Sequence, residues 1–334
     1  MPGSFLKFLF KFAPSAIVLF VMLANALPAA AQVAGYPSKP VRIIVPFPPG
    51  GTTDLLARLL AQKMSEAWGK PVVADNRPGG GGAIAAEFVA RSVPDGHTIF
   101  LGTSGDMSVN PGLVRKLAYD PERDFEAVGQ LALAPLVMTV HPGMPVRSVK
   151  ELIDAAKAKP GSLSHLSVGE GSAAHLAGEM FKKATGIDIV HVPYKGGAPQ
   201  VAALLAGQEP QFGFVVMASA MPHLQTGKLR AIALSSARRA RLLPDLPTLS
   251  EAGLAGFDIG NWFAAFVPAG TPKEIVTFLN AENARILKLP DVAARMGDLG
   301  IETTLSSPSE LARFLSAEIA KYRKVIQDAG ISQN

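Results

Sequence analysis

Residues 41–67 set a β-branched run, a Pro/Gly loop and an amphipathic helix end to end, and this order constrains the fold more than any other feature. Val41-Arg42-Ile43-Ile44-Val45 reads as a strand. Pro46 to Thr53 reads as a Pro/Gly loop. Leu55, Leu56, Leu59, Leu60 and Met64 then recur at helical spacing, which predicts a helix over 54–67. The order repeats with a strand at Pro71–Ala74, a loop at Asn76–Gly82, a helix to about Ser92 and a strand at Thr98–Leu101. Strands alternating with helices imply an α/β fold whose parallel sheet carries helices on both faces.

A second unit repeats the scheme. Ser148–Lys159 is a helix with Ser148 as N-cap and Glu151 three residues on, the spacing of a capping box. A strand at Leu163–Val168, a helix at Ser172–Thr185 closed by Gly186, and a strand at Ile189–Val192 follow. Next come a helix at Pro199–Leu205 ended by Gly207 and strands at Phe212–Val216 and Arg230–Leu234. Two long apolar runs, Leu131–Val140 and Trp262–Val267, read as connections between the units. Beyond them lie one short strand and helices over 272–288, 290–296 and 308–328, expected to pack back on the first unit. The expectation is a discontinuous first lobe, 32–132 plus 263–334, a second lobe, 133–262, and a cleft between them.

The chain's 334 residues suit about two domains. Lys7 and Lys11 precede an uncharged apolar stretch, Phe12–Leu27, and then Ala29-Ala30-Ala31. That is the pattern of a secretory signal peptide cleaved near Ala31, which places the mature protein in the periplasm. Its removal leaves 334 − 31 = 303 residues and takes the net charge from +5 to 5 − 2 = +3. So small a surplus, with no Lys/Arg block interleaved with aromatics, excludes a nucleic-acid partner. The densest basic run, Arg238-Arg239-Ala240-Arg241, reads as a solvated turn. With no cysteine, disulfide scaffolds, thiolate metal sites and cysteine nucleophiles are all excluded. No G-x-S-x-G, H-E-x-x-H or P-loop motif occurs, and the six histidines show no ligand spacing. No catalytic residue, metal or cofactor is therefore expected.

Four strand-end loops could hold a ligand, because open α/β sheets bind at the carboxyl ends of their strands. In the first, Pro46–Asp54, Gly50 and Gly51 let the backbone approach closely. Thr52 and Thr53 add hydroxyls, and the helix start favours an anion. The alternative is a tight turn with Thr53 or Asp54 as cap. The second is Gly102-Thr103-Ser104-Gly105, where Ser104 could instead simply form the turn; the neighbouring Asp106 is expected to face solvent. The third is Val168–His175, which fits G-x-G-x-x-A but lacks the acidic residue a dinucleotide site needs on the next strand. There Ser172 reads as N-cap, and His175 as either a cradle or a helix-surface residue. The fourth is Pro193–Pro199, whose Lys195 either meets a carboxylate or is an exposed loop lysine. Arg77 is expected to brace neighbouring loops through carbonyls. Phe47, Met217 and Trp262 read equally as ligand-shaping or core residues.

These loops resemble the tripartite tricarboxylate transporter substrate-binding receptors, the TctC or Bug family. The resemblance lies in "YPSKPVRIIVPFPPGGTTDLLARLLA", "VVADNRPGGGGAIAAEFVARSVPDGHTIFLGT", "YDPERDFEAVG", "HLAGEMFKKATG", "VPYKGGAPQVAALLAGQ", "LPDLPTLSEAG" and "WFAAFVPAGTPKEIVTFLN", which run in order along nearly the whole mature chain. It implies a two-lobed periplasmic binding protein of the Venus-flytrap, type II-like kind. Such a protein is a monomer that closes on a small mono- or dicarboxylate and serves the membrane subunits of a transporter. The family's anion loops map onto Phe47, Gly50, Gly51, Thr52, Thr53 and Asp54, and onto Thr103 and Ser104. Contacts of the other lobe map onto Gly169, Gly171, Ser172 and His175, and onto Tyr194, Lys195 and Gly196. The family's "D-x-x-x-x-F-D" pattern is replaced by Gln211-Phe212-Gly213-Phe214-Val215-Val216-Met217, without an acid. That loss argues against an amino-acid ligand and leaves room for a less polar, even aromatic, carboxylate. Two other readings fit the sequence: a binding module feeding a signalling partner, and an exported α/β enzyme using His175 or Lys195.

Overall fold

The computed structural model describes residues 33, 35–114, 116–328 and 330–331. The expected signal peptide lies outside the described residues.

The first unit opens with β1 (Val41–Val45), α1 (Thr52–Trp68), β2 (Val72–Asn76), α2 (Ala83–Ala90) and β3 (Thr98–Thr103). β1 pairs in parallel with β2 on one side and β3 on the other. α1 buries Leu56, Leu60 and Met64, the helical stripe read from the sequence. It stops where Gly69 turns left-handed and returns its N–H to Ser65 O. After β3 the chain makes a π-helical turn, Gly105–Val109, and a short helix α3 (Asn110–Leu113), neither of which the sequence pattern announces.

β4 (Phe125–Val140) is sixteen residues long and belongs to two sheets. From Phe125 to Pro135 it pairs antiparallel with β9 (Gly260–Pro268). From Leu136 to Val140 it pairs antiparallel with β7 (Gln211–Val216) and β8 (Arg230–Leu234). Between these crossings lie α4 (Val149–Ala158), β5 (Leu163–Ser167), α5 (Ala173–Thr185), β6 (Ile189–Pro193), α6 (Gly197–Ala206) and α7 (Met217–Gln225). After β9 come α8 (Lys273–Leu287), α9 (Pro290–Asp298), β10 (Glu302–Thr303) and α10 (Pro308–Asp328). The strand order is β2-β1-β3-β9-β4-β7-β5-β6.

The sheet is thus mixed, not wholly parallel. Parallel pairing holds within β2-β1-β3 and within β6-β5-β7, and is broken by β4 and β9. A β-branched run reports a strand but not its direction, and a chain that crosses out and returns runs both ways. Ser148 caps α4 by accepting from Glu151 N–H, as the spacing requires. The Glu151 carboxylate, however, takes the N–H of Arg147 at 2.7 Å, not that of Ser148.

Two large apolar cores result, beside two smaller ones. One holds Ile44, Phe100, Phe125 and Phe266 with Leu311, Leu315 and Ile319 of α10. The other holds Met138, Phe181, Phe212 and Phe214 with Tyr322 and Ile326 of the same helix. α10 therefore packs back on the first unit along its length, and Tyr322 and Ile326 also join the second unit's core. Full burial of each such side chain contributes about 1.5–3 kcal/mol. Trp262 and Met217 are buried in this framework, and the Trp262 indole N–H donates to Glu318 at 3.1 Å. Arg77 differs from expectation. Its guanidinium lies 3.6 Å from the Phe88 ring centroid and donates to Asp75, so an aromatic face and a carboxylate hold it, not carbonyls. Among the described residues, no helix is long and apolar enough to cross a membrane.

Candidate ligand cleft

The loops that follow β1, β3, β5, β6 and β7 converge, because parallel strands within each lobe end on the same side. Phe47, Gly51, Thr52, Thr53, Thr103 and Gly105 form one wall. Val168, Ser172, Ala173, Ala174, Gly197, Gln200 and Ser219 form the other, and Leu136 and Asn261 of the crossing strands close the end. The cleft is nearly closed, with a cavity volume of about 40 Å³. The lobes touch. Thr52 Oγ1 and Ser219 Oγ share a hydrogen bond of 2.9 Å across the gap. A Cβ on Gly196, whose φ is +118°, would lie 2.8 Å from Pro48 Cδ.

No charged side chain lines this cleft among the described residues. α1 begins at Gly51 with no side-chain cap, so the N–H groups of its first turn are left for a ligand beside Thr52 and Thr53.

Asp54 works from behind. Its carboxylate accepts from Gly50 N–H at 3.0 Å, Arg58 Nε at 2.9 Å and Asn76 Nδ2 at 3.0 Å. Burial opposes its ionisation, but Arg58, Gly50 and Asn76 outweigh that and hold it below the ordinary carboxylate range. Gly50 sits exposed at the loop tip with φ +90°. Asp54 therefore shapes the loop and stands outside the lining.

Asp106 does not face solvent; it is fully buried. The π-helical turn folds it back under β3, where it accepts from Thr103 N–H at 2.8 Å and Thr103 Oγ1 at 2.6 Å. Burial pushes its carboxyl up to about 7, although the Thr103 bonds pull the other way. Ser104, also buried, donates to Asn261 Oδ1 at 2.6 Å and stands behind the wall.

On the second lobe Ser172 caps α5 by accepting from His175 N–H at 3.1 Å and donates to Gly169 O at 2.6 Å. Gly169 and Gly171 carry φ of +134° and +74°, conformations that favour glycine, and lie beside the cleft without lining it. His175 turns away: its ring stacks on His191 at 4.2 Å and borders a separate surface depression with Glu170 and Glu179. Burial lowers its pKa, while Glu179 and Glu170 pull it upward. Tyr194 packs half-buried against the small core around Leu166 and Leu204. Lys195 is exposed and Gly196 is buried, both outside the lining.

The sequence reading passed over Asn261, Gln200 and Ser219. Gln200 was hidden because α6 starts at Gly197, which puts it in the first turn at a strand end. Ser219 follows β7 in a helix whose pattern is interrupted by Pro222. Among the described residues, no group of three or more His, Asp or Glu is placed to hold a metal ion.

Fold and cleft together define a two-lobed binding protein of mixed α/β architecture. Residues 56–331 match the model of the tripartite tricarboxylate transporter family receptor, TctC. The chain belongs to that family. It is similar to an R. palustris protein solved with adipate, at 39% identity and TM-score 0.86, over 90% of this chain and all of that one. It is also similar to MatC from Rhodopseudomonas palustris with bound malate, at 34% identity and TM-score 0.83, over 87% of this chain and all of that one. A third similar structure is the periplasmic binding protein BugD, at 34% identity and TM-score 0.85, over 90% of this chain and all of that one.

Proposed function

We propose that this protein is an extracytoplasmic receptor that binds a small organic carboxylate and delivers it to the membrane subunits of a tripartite transporter. The observation that carries this reading is a cleft between two lobes that is lined by neutral groups and has an uncapped helix N-terminus in one wall. Oriented N–H groups and hydroxyls hold a carboxylate without a buried cation. Relatives solved with adipate and with malate support the ligand class.

The ligand contacts we assign are Phe47, Gly51, Thr52, Thr53, Thr103 and Ser172, with Gly50, Asp54, Ser104, Gly169, Gly171 and Gly196 shaping the loops around them. His175, Tyr194 and Lys195 stand nearby as loop supports. The lobes are 32–132 plus 263–334 and 133–262. The exchange of β4 partners between Pro135 and Leu136, and the start of β9 at Gly260, support crossings close to those bounds. The protein acts as a monomer in the periplasm after loss of residues 1–31, and it binds and releases its ligand without turnover, metal or cofactor.

Native mass spectrometry of freshly purified protein tests this reading. A bound small acid, lost on denaturation, is the expected result. Protein that carries no acid, and whose melting temperature no carboxylate raises, would contradict it.

A further inference from the structure

Gln200 lines the cleft and is fully buried. Its amide nitrogen is held twice, donating to Leu166 O of β5 at 2.8 Å and to Phe214 O of β7 at 3.1 Å. Two carbonyls fix which way the amide faces, because turning it over would set its oxygen against both of them. Gly213 of β7, the register partner of Leu166 in β5, makes the room: a Cβ there would lie 3.2 Å from Gln200 Nε2. Oε1 is thereby left as the free end of the side chain, buried and without a hydrogen-bond partner among the described residues. A buried acceptor left unpaired is costly, so an occupant that donates to it is favoured.

The opposite wall shows the same polarity. Above about pH 7, where Asp106 is ionised, Thr103 Oγ1 commits its proton to Asp106 Oδ2 at 2.6 Å and offers the cleft lone pairs only. Two acceptors on residues that line one cleft cannot satisfy each other. The cleft thus supplies N–H donors from α1 for an anion, and acceptors that require a donor from the occupant.

We propose that the ligand is a hydroxycarboxylate, and that Gln200 is the specificity-determining residue that accepts a hydrogen bond from its hydroxyl. This rests on the carboxylate-receptor reading above and deepens it. A hydroxyl fits better than an ammonium group. The carboxylates of Asp54 and Asp106 both stand behind the walls, so a desolvated ammonium would find no anion. A site built to bond a hydroxyl rejects the analogue that lacks it, because the acceptor stays unpaired.

The test is calorimetric titration with acid pairs that differ by one hydroxyl: succinate against malate, adipate against 3-hydroxyadipate, and butyrate against 3-hydroxybutyrate. Wild-type protein is expected to bind the hydroxylated member of at least one pair about tenfold or more tighter. Gln200→Met should bring that preference to within about twofold while still binding the plain acid. Equal binding of both members by the wild-type protein, or an unchanged preference in Gln200→Met, overturns the inference. The wild-type comparison decides even if the variant fails to fold. Plain acids bound without preference overturn this inference alone, whereas no binding of any member contradicts the receptor reading as well.

Discussion

The two walls of the cleft stand over titratable groups that burial drives in opposite directions. Behind the first wall Asp106 is fully buried with no cation beside it among the described residues, and its carboxyl is raised to about 7. Behind the second, His165, His191 and His175 form a stack, with ring centroids 5.5 Å and 4.2 Å apart. Burial lowers all three: His165 well below its ordinary value, with help from His191 and His175, and His191 to about 4. The desolvation penalty is the same in both places; it protonates the acid and deprotonates the bases. Below about pH 7 Asp106 therefore keeps its proton, and burial favours the uncharged form of the three histidines. Since no charged side chain lines the cleft among the described residues, an anion there would be held by oriented dipoles.

The contrast is sharpest in stability against pH. From 3.8 to about 7 the native state keeps a proton on Asp106 that the unfolded chain has released, so this residue makes stability fall as pH rises. Its full cost, present above pH 7, is about 4 kcal/mol for a shift of roughly three units. Asp106→Asn should therefore be more stable than wild type at pH 8 by up to about 4 kcal/mol, with the gain vanishing near pH 4. The histidines work the other way. Below pH 6.5 the unfolded chain takes up protons first, so stability is lost as pH falls toward 4. In Asp106→Asn that acid loss should stand uncompensated. Urea unfolding from pH 4 to 8 checks both slopes, and a variant that parallels wild type throughout would break the comparison.

A smaller effect probes the second wall alone. A Cβ on Gly178 of α5 would land inside the van der Waals envelope of the His165 ring, which is fully buried. Gly178→Ala should cost about 2–3 kcal/mol, read as a lower urea midpoint. An unchanged midpoint would show that the histidine stack is loosely packed.

How much of this was legible in the sequence depends on the kind of signal. β1, α1, α5 and β5 were readable because apolar residues recur with period 2 or 3.6 and because Gly186 punctuates α5. α7 was not, since Pro222 and a run of small residues erase its stripe. The loops of the cleft were legible as Pro/Gly clusters at strand ends. Their inner chemistry was less so. Asp106 reads as a loop acid until the π-helical turn at Gly105–Val109 buries it. His175 and His191 lie on separate elements, and only the packing of α5 on β6 stacks them. Gln200 and Asn261 are single polar residues with no spacing partner, and their roles come from the carbonyl and hydroxyl groups that folding places beside them.

The most direct test of the central claim, that neutral walls hold an organic anion through their dipoles, is calorimetric titration at pH 7.5 with a carboxylate and its primary amide. Binding of the acid at one molecule per chain, with the amide weaker by about tenfold or more, is the predicted result. Equal binding of the amide, or no binding of any acid across mono- and dicarboxylates, would contradict it.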